Sequence, residues 1–264
     1  MTWLPGEQLA ALTTLQAVCG RQGATVVIIG AAAYHAWFDD PGRHTEDVDV
    51  AVAINLGEFE RLAQALAGLG WRQELRREHR WITPEGARVD LLPAGDQLRS
   101  AGRIEWPRSG MVMGLVGFEH VFSRAVTREA APGIVVRVIP VPVLALLKIA
   151  AFLESPYTRG KDAQDIHSIF DRYEDHGDRR FSSEVYDAGV DYERAGAWLL
   201  GRDLAALCSP SEADLVARFV SKVADESTPE AMIYARAPSP FEYRGEARRT
   251  MIAAFAAGLS GSPV

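Results

Sequence analysis

Three aspartates in the first hundred residues have the type and spacing of a carboxylate cluster. Asp47 and Asp49 flank Val48 at the start of DVDVAVAI, which first alternates and then becomes apolar, as a half-buried strand does. Side chains two residues apart on a strand share a face, with origins about 7 Å apart. Asp90 lies in a second apolar strand pattern, ARVDLL, which could lie beside the first. We therefore expect three carboxylates on adjoining strands.

Carboxylates held this close repel one another unless a cation lies between them. An all-oxygen site suits Mg²⁺, and two such ions can clamp the attacking and leaving oxygens of a phosphoryl transfer. The residues therefore predict a site for two Mg²⁺ ions on Asp47, Asp49 and Asp90. In the structural alternative, Asp47 caps a turn, while Asp49 and Asp90 pair with arginines such as Arg43 or Arg88.

A small-residue junction precedes the carboxylates. The β-branched run TVVII (25–29) ends at Gly30, and helical spacing begins at Ala31. A glycine there lets backbone N–H groups at the helix N-terminus approach a phosphate, where the helix dipole favours negative charge. Small residues after a buried strand also serve close packing, which is the alternative for this junction.

A second group of charged residues follows in the latter half of the chain. Lys148 lies on the apolar stripe of the predicted helix VPVLALLKIAAFL, where a lysine must reach solvent or find an anion. Asp162 and Asp165 begin the next predicted helix and share its inward face with two isoleucines. A structural ion pair between Lys148 and an aspartate is therefore one interpretation of this group.

Hydrophobic periodicity predicts elements that would position these residues in two blocks. Residues 1–141 alternate between helices and strands, and residues 142–264 are helical. The predicted helices of the first block cover about 7–19, 31–38 and 58–69, and its main strands about 25–29, 47–54, 87–92 and 134–139. The predicted fold class is α+β, with a mixed sheet followed by a helical domain that begins with a helix over about 143–153.

Composition excludes several classes of protein. The 264 residues are 48% hydrophobic and 24% charged, as in ordinary globular proteins. A net charge of −7 argues against a protein that coats nucleic acid through its overall field, and the arginines between residues 71 and 108 are expected on a solvated hairpin face. No apolar run reaches the roughly 18 residues of a membrane span, and the N-terminus lacks an export signal, which predicts a cytoplasmic protein without a membrane partner.

The motifs together resemble the pattern of the DNA polymerase β superfamily of nucleotidyltransferases, in which Gly-Gly or Gly-Ser precedes Asp-x-Asp and a third strand aspartate. The matching segments are Ile29-Gly30-Ala31, Thr45-Glu46-Asp47-Val48-Asp49 and Val89-Asp90-Leu91. Ala31 departs from the pattern, since the family commonly has Gly or Ser there, and this removes a hydroxyl contact to phosphate. The spacing Arg43-x-Thr45-x-Asp47-x-Asp49, with the downstream Lys148 and Lys161-Asp162-x-x-Asp165, is similar to the minimal nucleotidyltransferases of the AbiEii/AbiGii toxin type.

The resemblance implies a polymerase β-like catalytic core in residues 1–141 and a helical domain in 142–264 that completes the active site. It implies that Asp47 and Asp49 bridge two Mg²⁺ ions and that Asp90 serves mainly the ion that activates the acceptor. Catalytic roles would extend to Lys148 and Asp165, and the NTP substrate would be bound by a wider set of residues: Gly30, Ala31, Thr45, Lys148 and Asp162. Residues 171–264 carry no motif of this pattern.

The resemblance also implies an acceptor and a partner. The acceptor would be RNA, particularly the tRNA 3′ end, and the partner would be an antitoxin protein. Two alternatives stay open: transfer to a small molecule such as an aminoglycoside or to a protein hydroxyl, and a catalytically inactive nucleotide-binding module. The acidic net charge favours a cationic small acceptor, and Ala31 favours the inactive module.

Overall fold

The structure is a computed structural model that describes residues 2–38, 45–237 and 246–262. The chain divides into two compact units, Met1–Pro140 and Val141–Val264. The first unit contains the β-sheet, and the described part of the second is helical. The prediction of an α+β fold with a mixed sheet and a helical C-terminal part is confirmed.

The first unit is built on a sheet in which seven described strands have the order β3-β4-β5-β2-β1-β9-β8. The strands are β1 Val26–Ile28, β2 Asp47–Val52, β3 Arg72–Gln73, β4 Arg80–Ile82, β5 Arg88–Pro93, β8 Val126–Ala131 and β9 Ile134–Val138. The pairs β2–β5 and β1–β9 are parallel, and the other neighbours are antiparallel. A separate hairpin pairs β6 Arg103–Glu105 with β7 Val112–Gly114.

The central strand β2 has one buried and one accessible face where it begins. Val48 and Val50 are fully buried, whereas Asp47 and Asp49 are half-buried on the opposite face. From Ala51 onward the strand is wholly buried, as is typical of a strand whose two faces are both covered. The change from alternating to continuous apolar sequence therefore places the acids at the beginning of the strand.

The described part of the first unit also contains α-helices. They are α1 Gly6–Arg21, α2 Gly30–Trp37, α3 Leu56–Gly68, α4 Asp96–Ala101 and α5 Phe118–Ser123. Of these, α1, α2 and α3 contact strands of the sheet. α3 begins with a capping box in which the Asn55 backbone N–H donates to Glu58 at 2.8 Å. α2 begins at Gly30, whose φ of +62° lies in the left-handed region that favours glycine. This tight turn joins β1 directly to α2.

The second unit is an assembly of helices. Its α-helices are α6 Val141–Glu154, α7 Gly160–Arg172, α8 Ser183–Asp187, α9 Tyr192–Leu207, α10 Pro210–Ala224, α11 Pro229–Arg236 and α12 Glu246–Ser260. α9 and α12 approach at backbone distance, since a Cβ added at Gly258 would overlap the Trp198 carbonyl. α6 packs on α7, which brings the buried charged residues of the two helices together.

Periodicity missed several short elements. α5 and β8 were not predicted. For β8 the reason is its polar sequence, VTREAA, which lies at the edge of the sheet and begins with exposed residues.

Within the described residues, no helix has the length and apolar character needed to span a membrane.

Candidate active site

The three predicted carboxylates lie on neighbouring parallel strands. β2 and β5 pair so that Asp49 stands opposite Asp90, and Asp47 stands opposite Arg88. Registered residues of paired strands point to the same side, and Asp47 and Asp49 share a face by alternation. Asp47, Asp49 and Asp90 therefore lie on one face of the sheet, with neighbouring strands about 4.8 Å apart.

Arg80 binds two of the three carboxylates. Its Nε donates to Asp90 Oδ1 at 2.8 Å and its Nη2 to Asp90 Oδ2 at 2.7 Å, so the pair is bidentate. The same Nη2 donates to Asp47 Oδ2. The hydrogen bonds to Asp90 and, against the cost of burial, the charges of Asp90 and Asp47 raise the pKa of Arg80. The guanidinium thus lies between the two carboxylates as a permanent cation.

This arrangement corrects two expectations. Arg80 does not lie on a solvated hairpin face, because its side chain is only 15% exposed. The structural alternative predicted arginine partners such as Arg88 for Asp49 and Asp90. Asp90 does pair with an arginine, but this arginine is Arg80, and Arg88 pairs with Glu46 at 2.5 Å. Arg43, the other arginine named, lies outside the described residues.

The sequence contains a signal for Arg80 that lies outside the motifs. The turn at Pro84-Glu85-Gly86 joins β4 to β5, and a hairpin symmetrical about Glu85 pairs position 80 with position 90. The observed register is Arg80 opposite Asp90. Counting outward from the turn therefore places an arginine beside the third aspartate.

His79 is a further neighbour that the sequence analysis did not single out. Its Nε2 lies 3.8 Å from Asp90 Oδ2, and its side chain is 14% exposed. Burial lowers the pKa of His79 despite the opposing effect of Asp90. A lowered pKa keeps the imidazole neutral near pH 7.

Gly30 lies against the carboxylate of Asp49. A Cβ added at Gly30 would overlap the Asp49 side chain, and the Ile29 N–H donates to the Asp49 carbonyl at 2.9 Å. The N-terminus of α2 therefore directly adjoins the carboxylate cluster. The first N–H groups of a helix lack partners within the helix and favour anions, and Ala31 supplies one of them.

Thr45 fixes the start of β2. Its hydroxyl donates to the Asp47 carbonyl at 2.7 Å and lies 3.3 Å from Asp47 Oδ1. The Gln8 side-chain amide in turn donates to the Thr45 carbonyl at 3.4 Å. Thr45 thus orients the first of the three acids through the backbone.

The donor set of this face fits Mg²⁺ in its chemistry. It offers carboxylate oxygens, which Mg²⁺ prefers, on adjacent strands. In the described part of the chain, no three His, Cys, Asp or Glu side chains are arranged to hold a metal ion, and Arg80 binds Asp47 and Asp90 instead. Arg80 therefore supplies the positive charge that offsets the repulsion between these carboxylates.

In the second unit, Lys148 and two aspartates form a buried ion cluster. Lys148 Nζ lies 2.7 Å from Asp162 Oδ1 and 2.7 Å from Asp165 Oδ2. All three side chains are at most 10% exposed. Burial alone would lower the pKa of Lys148, but the two carboxylates more than offset it and the pKa is raised. Arg159 Nη1 approaches Asp162 Oδ2 at 3.7 Å from the exposed side.

Most of the chain matches a known protein family. The family model for the "nucleotidyl transferase AbiEii toxin, type IV TA system" matches residues 14–232, a range that includes both charged clusters. No curated protein sequence matches.

Solved structures of nucleotidyltransferases resemble the chain only weakly. An antigenic nucleotidyltransferase-like protein from Paracoccidioides brasiliensis is 18% identical, with 62% of this chain and 75% of that one covered and a TM-score of 0.42. The antibiotic-resistance factor ANT(2'')-Ia, in solution, is 15% identical, with 84% and 95% covered and a TM-score of 0.41. The same enzyme with adenylyl-2''-tobramycin is 14% identical, with 81% and 98% covered and a TM-score of 0.40.

The family match spans most of the chain and includes the Gly30–Ala31 junction, the three strand aspartates and the Lys148 cluster. The chain therefore belongs to the AbiEii toxin family of nucleotidyltransferases.

Proposed function

We propose that this nucleotidyltransferase moves a nucleoside monophosphate from an NTP to an acceptor hydroxyl, with Mg²⁺ at Asp47, Asp49 and Asp90. The acceptor hydroxyl loses its proton to water, its oxygen forms a bond to the α-phosphorus, the bond between that phosphorus and the α–β bridging oxygen breaks, and pyrophosphate leaves. The observation that carries the proposal is the register of β2 and β5, which aligns Asp49 with Asp90 beside the N-terminus of α2.

The carboxylates would hold the metal ions, with Asp47 and Asp49 shared between two ions and Asp90 mainly on the acceptor side. Bound Mg²⁺ would favour ionisation of the acceptor hydroxyl and neutralise charge on the pyrophosphate. The protein contributes a rigid frame for these ligands, since Thr45 fixes the backbone of Asp47 at 2.7 Å and Gly30 adjoins Asp49. Rigid placement is what phosphoryl transfer requires of its ligands.

The nucleotide phosphates would bind at the start of α2. The N–H groups of Gly30 and Ala31 lie at the positive end of the helix, next to the carboxylates that would carry the metal. Ala31 lacks the hydroxyl that the family commonly has, so the backbone alone would contact phosphate here. The proposal thus predicts that phosphate binding depends on the local backbone conformation.

By resemblance to the family, Lys148 would contact a nucleotide phosphate, and Asp162 or Asp165 would orient this lysine or the acceptor. The helical domain would then take part in the active site. The contacts of the second unit support the charged state of this lysine. Both aspartates lie 2.7 Å from its ammonium, and the pair raises its pKa. Lys148 would therefore remain a cation at any physiological pH.

The proposed acceptor is RNA, particularly the tRNA 3′ end, in a cytoplasmic toxin whose activity an antitoxin protein opposes. The family description, a type IV toxin–antitoxin system, supports a toxin with an antitoxin partner, and the RNA acceptor is our proposal from the resemblance of the motifs to this family. The net charge of −7 favours instead a cationic small acceptor such as an aminoglycoside, which is the second candidate. A nucleotide-binding module without activity is the third possibility that an experiment must exclude.

Labelled nucleotides distinguish these candidates. The purified chain is incubated with Mg²⁺ and each NTP labelled on its α-phosphate, with total tRNA in one reaction and an aminoglycoside mixture in another. We expect label in RNA, none in the antibiotics, and loss of transfer in Asp49→Asn. Label in the antibiotic alone would establish the second candidate. No transfer in either reaction, together with Mg²⁺-dependent binding of a non-hydrolysable NTP, would favour the inactive module.

A further inference from the structure

Arg80 contacts Asp47 and Asp90, two of the three carboxylates that would hold a metal ion. One guanidinium nitrogen, Nη2, donates to both Asp47 and Asp90, while Nε holds the second oxygen of Asp90 at 2.8 Å. Both oxygens of Asp90 are therefore engaged by the same arginine. A planar guanidinium suits such a bidentate contact, whereas a lysine ammonium could not reproduce it.

The fold fixes Arg80 in this position. β4 and β5 form a hairpin whose register places Arg80 opposite Asp90, and β5 pairs with β2, which carries Asp47. The Arg80, Asp90 and Asp47 side chains are 15%, 9% and 28% exposed, so water screens the contact poorly. The arginine is thus a built-in part of the carboxylate face rather than a mobile surface group.

We propose that Arg80 is an internal counter-cation with which a divalent metal ion must compete at Asp47 and Asp90. The inference rests on the proposed function, because it takes these carboxylates to be metal ligands. Arg80 neutralises part of the negative charge of Asp47 and Asp90 before any metal arrives, so a divalent ion at these two carboxylates must displace or share its contacts. A second ion is favoured only when a triphosphate adds negative charge.

The competition is measurable without catalysis. Calorimetric titration of the nucleotide-free full chain with Mn²⁺ compares wild type with Arg80→Gln, which removes the charge, and Arg80→Lys, which keeps it but cannot span both acids. We expect Arg80→Gln to bind Mn²⁺ at least about tenfold more tightly, and Arg80→Lys to lie between it and wild type. Arg88→Gln is the matched control, since Arg88 lies on the neighbouring strand but pairs with the exposed Glu46. Its affinity should stay within about twofold of wild type.

An unchanged or weaker affinity in Arg80→Gln would overturn the proposal. Since loss of the arginine leaves poorly hydrated carboxylates unpaired, this variant could unfold without metal, and the melting temperature then serves as a second readout. The proposal expects added Mn²⁺ to raise the melting temperature more in Arg80→Gln and Arg80→Lys than in wild type. An equal or smaller rise contradicts it.

A parallel titration separates this proposal from the proposed function. Wild type and Asp49→Asn are titrated with Mn²⁺ in the presence of a non-hydrolysable NTP. If wild type binds the metal–nucleotide complex and Asp49→Asn does not, while Arg80→Gln fails to gain affinity, only the role of Arg80 is wrong. If no variant binds Mn²⁺ under either condition, the metal site of the proposed function and the competition at Arg80 are both wrong.

Discussion

Gly30 and Asp49 are in direct contact, and this contact joins the helix N-terminus to the carboxylate face. Gly30 has a φ of +62°, and a Cβ at this position would overlap the Asp49 carboxylate. Two independent features therefore favour glycine at this position: the left-handed backbone conformation, and the Asp49 side chain, which leaves no room for a Cβ. These two reasons can be separated by substitution.

Gly30→Ala should abolish nucleotidyl transfer while the protein remains folded. The left-handed conformation costs a non-glycine residue about 1–2 kcal/mol, and the methyl group also displaces Asp49. Because a displacement of about 1 Å can cost a hundredfold in rate, we expect transfer to fall by at least that factor. Initial rates with α-labelled NTP and a thermal melt measure the two effects.

Gly23→Ala is the control for backbone strain alone. Gly23 has a φ of +69° just before β1, and a Cβ there would meet no atom within 4 Å. It should lose similar stability, about 1–2 kcal/mol, with transfer nearly unchanged. If both variants lose transfer to the same extent, the contact with Asp49 has no special role.

The Lys148 cluster predicts a separation of stability from activity. Lys148→Met removes the ammonium that the buried carboxylates of Asp162 and Asp165 both contact, which should lower the free energy of unfolding by about 3–5 kcal/mol. The triple variant Lys148→Met/Asp162→Asn/Asp165→Asn also removes these two buried negative charges and should recover most of that stability. Denaturant unfolding measures both changes.

Transfer should nevertheless remain lost in the triple variant if Lys148 contacts a nucleotide phosphate. Lys222→Met is the control, since Lys222 is 44% exposed and lies 3.7 Å from Glu230. Its removal should cost at most about 1 kcal/mol and leave transfer intact. Near-normal transfer in the triple variant would show that the cluster is structural alone.

His167 predicts a loss of stability in mild acid. It is buried on α7 and stacks on Tyr234 with ring centroids 4.2 Å apart. Burial, with a contribution from Arg248, lowers the pKa of His167 to about 3. The unfolded chain binds a proton near pH 6.5 and the folded chain does not, so stability is complete above pH 6.5 and falls as the pH drops towards 3.

His167→Phe should therefore reduce the pH dependence of the free energy of unfolding between pH 6.5 and 4, by up to about 1.4 kcal/mol per pH unit. The phenyl ring can keep the stack on Tyr234. His176→Gln provides the comparison, because the His176 side chain is 82% exposed. Equal slopes in wild type and His167→Phe would mean that His167 is not held neutral by the fold.

Much of the carboxylate face follows from local sequence. Alternation at Asp47-Val48-Asp49 predicts which side chains share a face, and the turn at Pro84–Gly86 predicts the neighbour of Asp90. The parallel pairing of β2 with β5 does not follow in this way, because the two strands are separated by α3 and a hairpin. The alignment of Asp49 with Asp90 is therefore a tertiary result.

In the helical half, the sequence predicts the residues of the Lys148 cluster but not their contacts. The apolar helix pattern around Lys148 indicated a lysine that must reach solvent or find an anion, and the spacing of Asp162 and Asp165 indicated an inward acidic face. That one ammonium would meet both carboxylates at equal distance depends on how α6 packs on α7. Helical periodicity gives the inward face of each helix but not the relative position of the two.

Metal stoichiometry tests the central claim most directly. Electron paramagnetic resonance counts the Mn²⁺ ions bound to the full chain in the presence of a non-hydrolysable NTP. Asp47→Asn, Asp49→Asn and Asp90→Asn are compared with wild type and with Asp96→Asn, whose side chain is 91% exposed. We predict two bound ions in wild type and Asp96→Asn, and fewer or much more weakly bound ions in each of the other three variants. If the folded Asp49→Asn and Asp90→Asn proteins bind as many ions as wild type with the same affinity, the three aspartates are not the metal site.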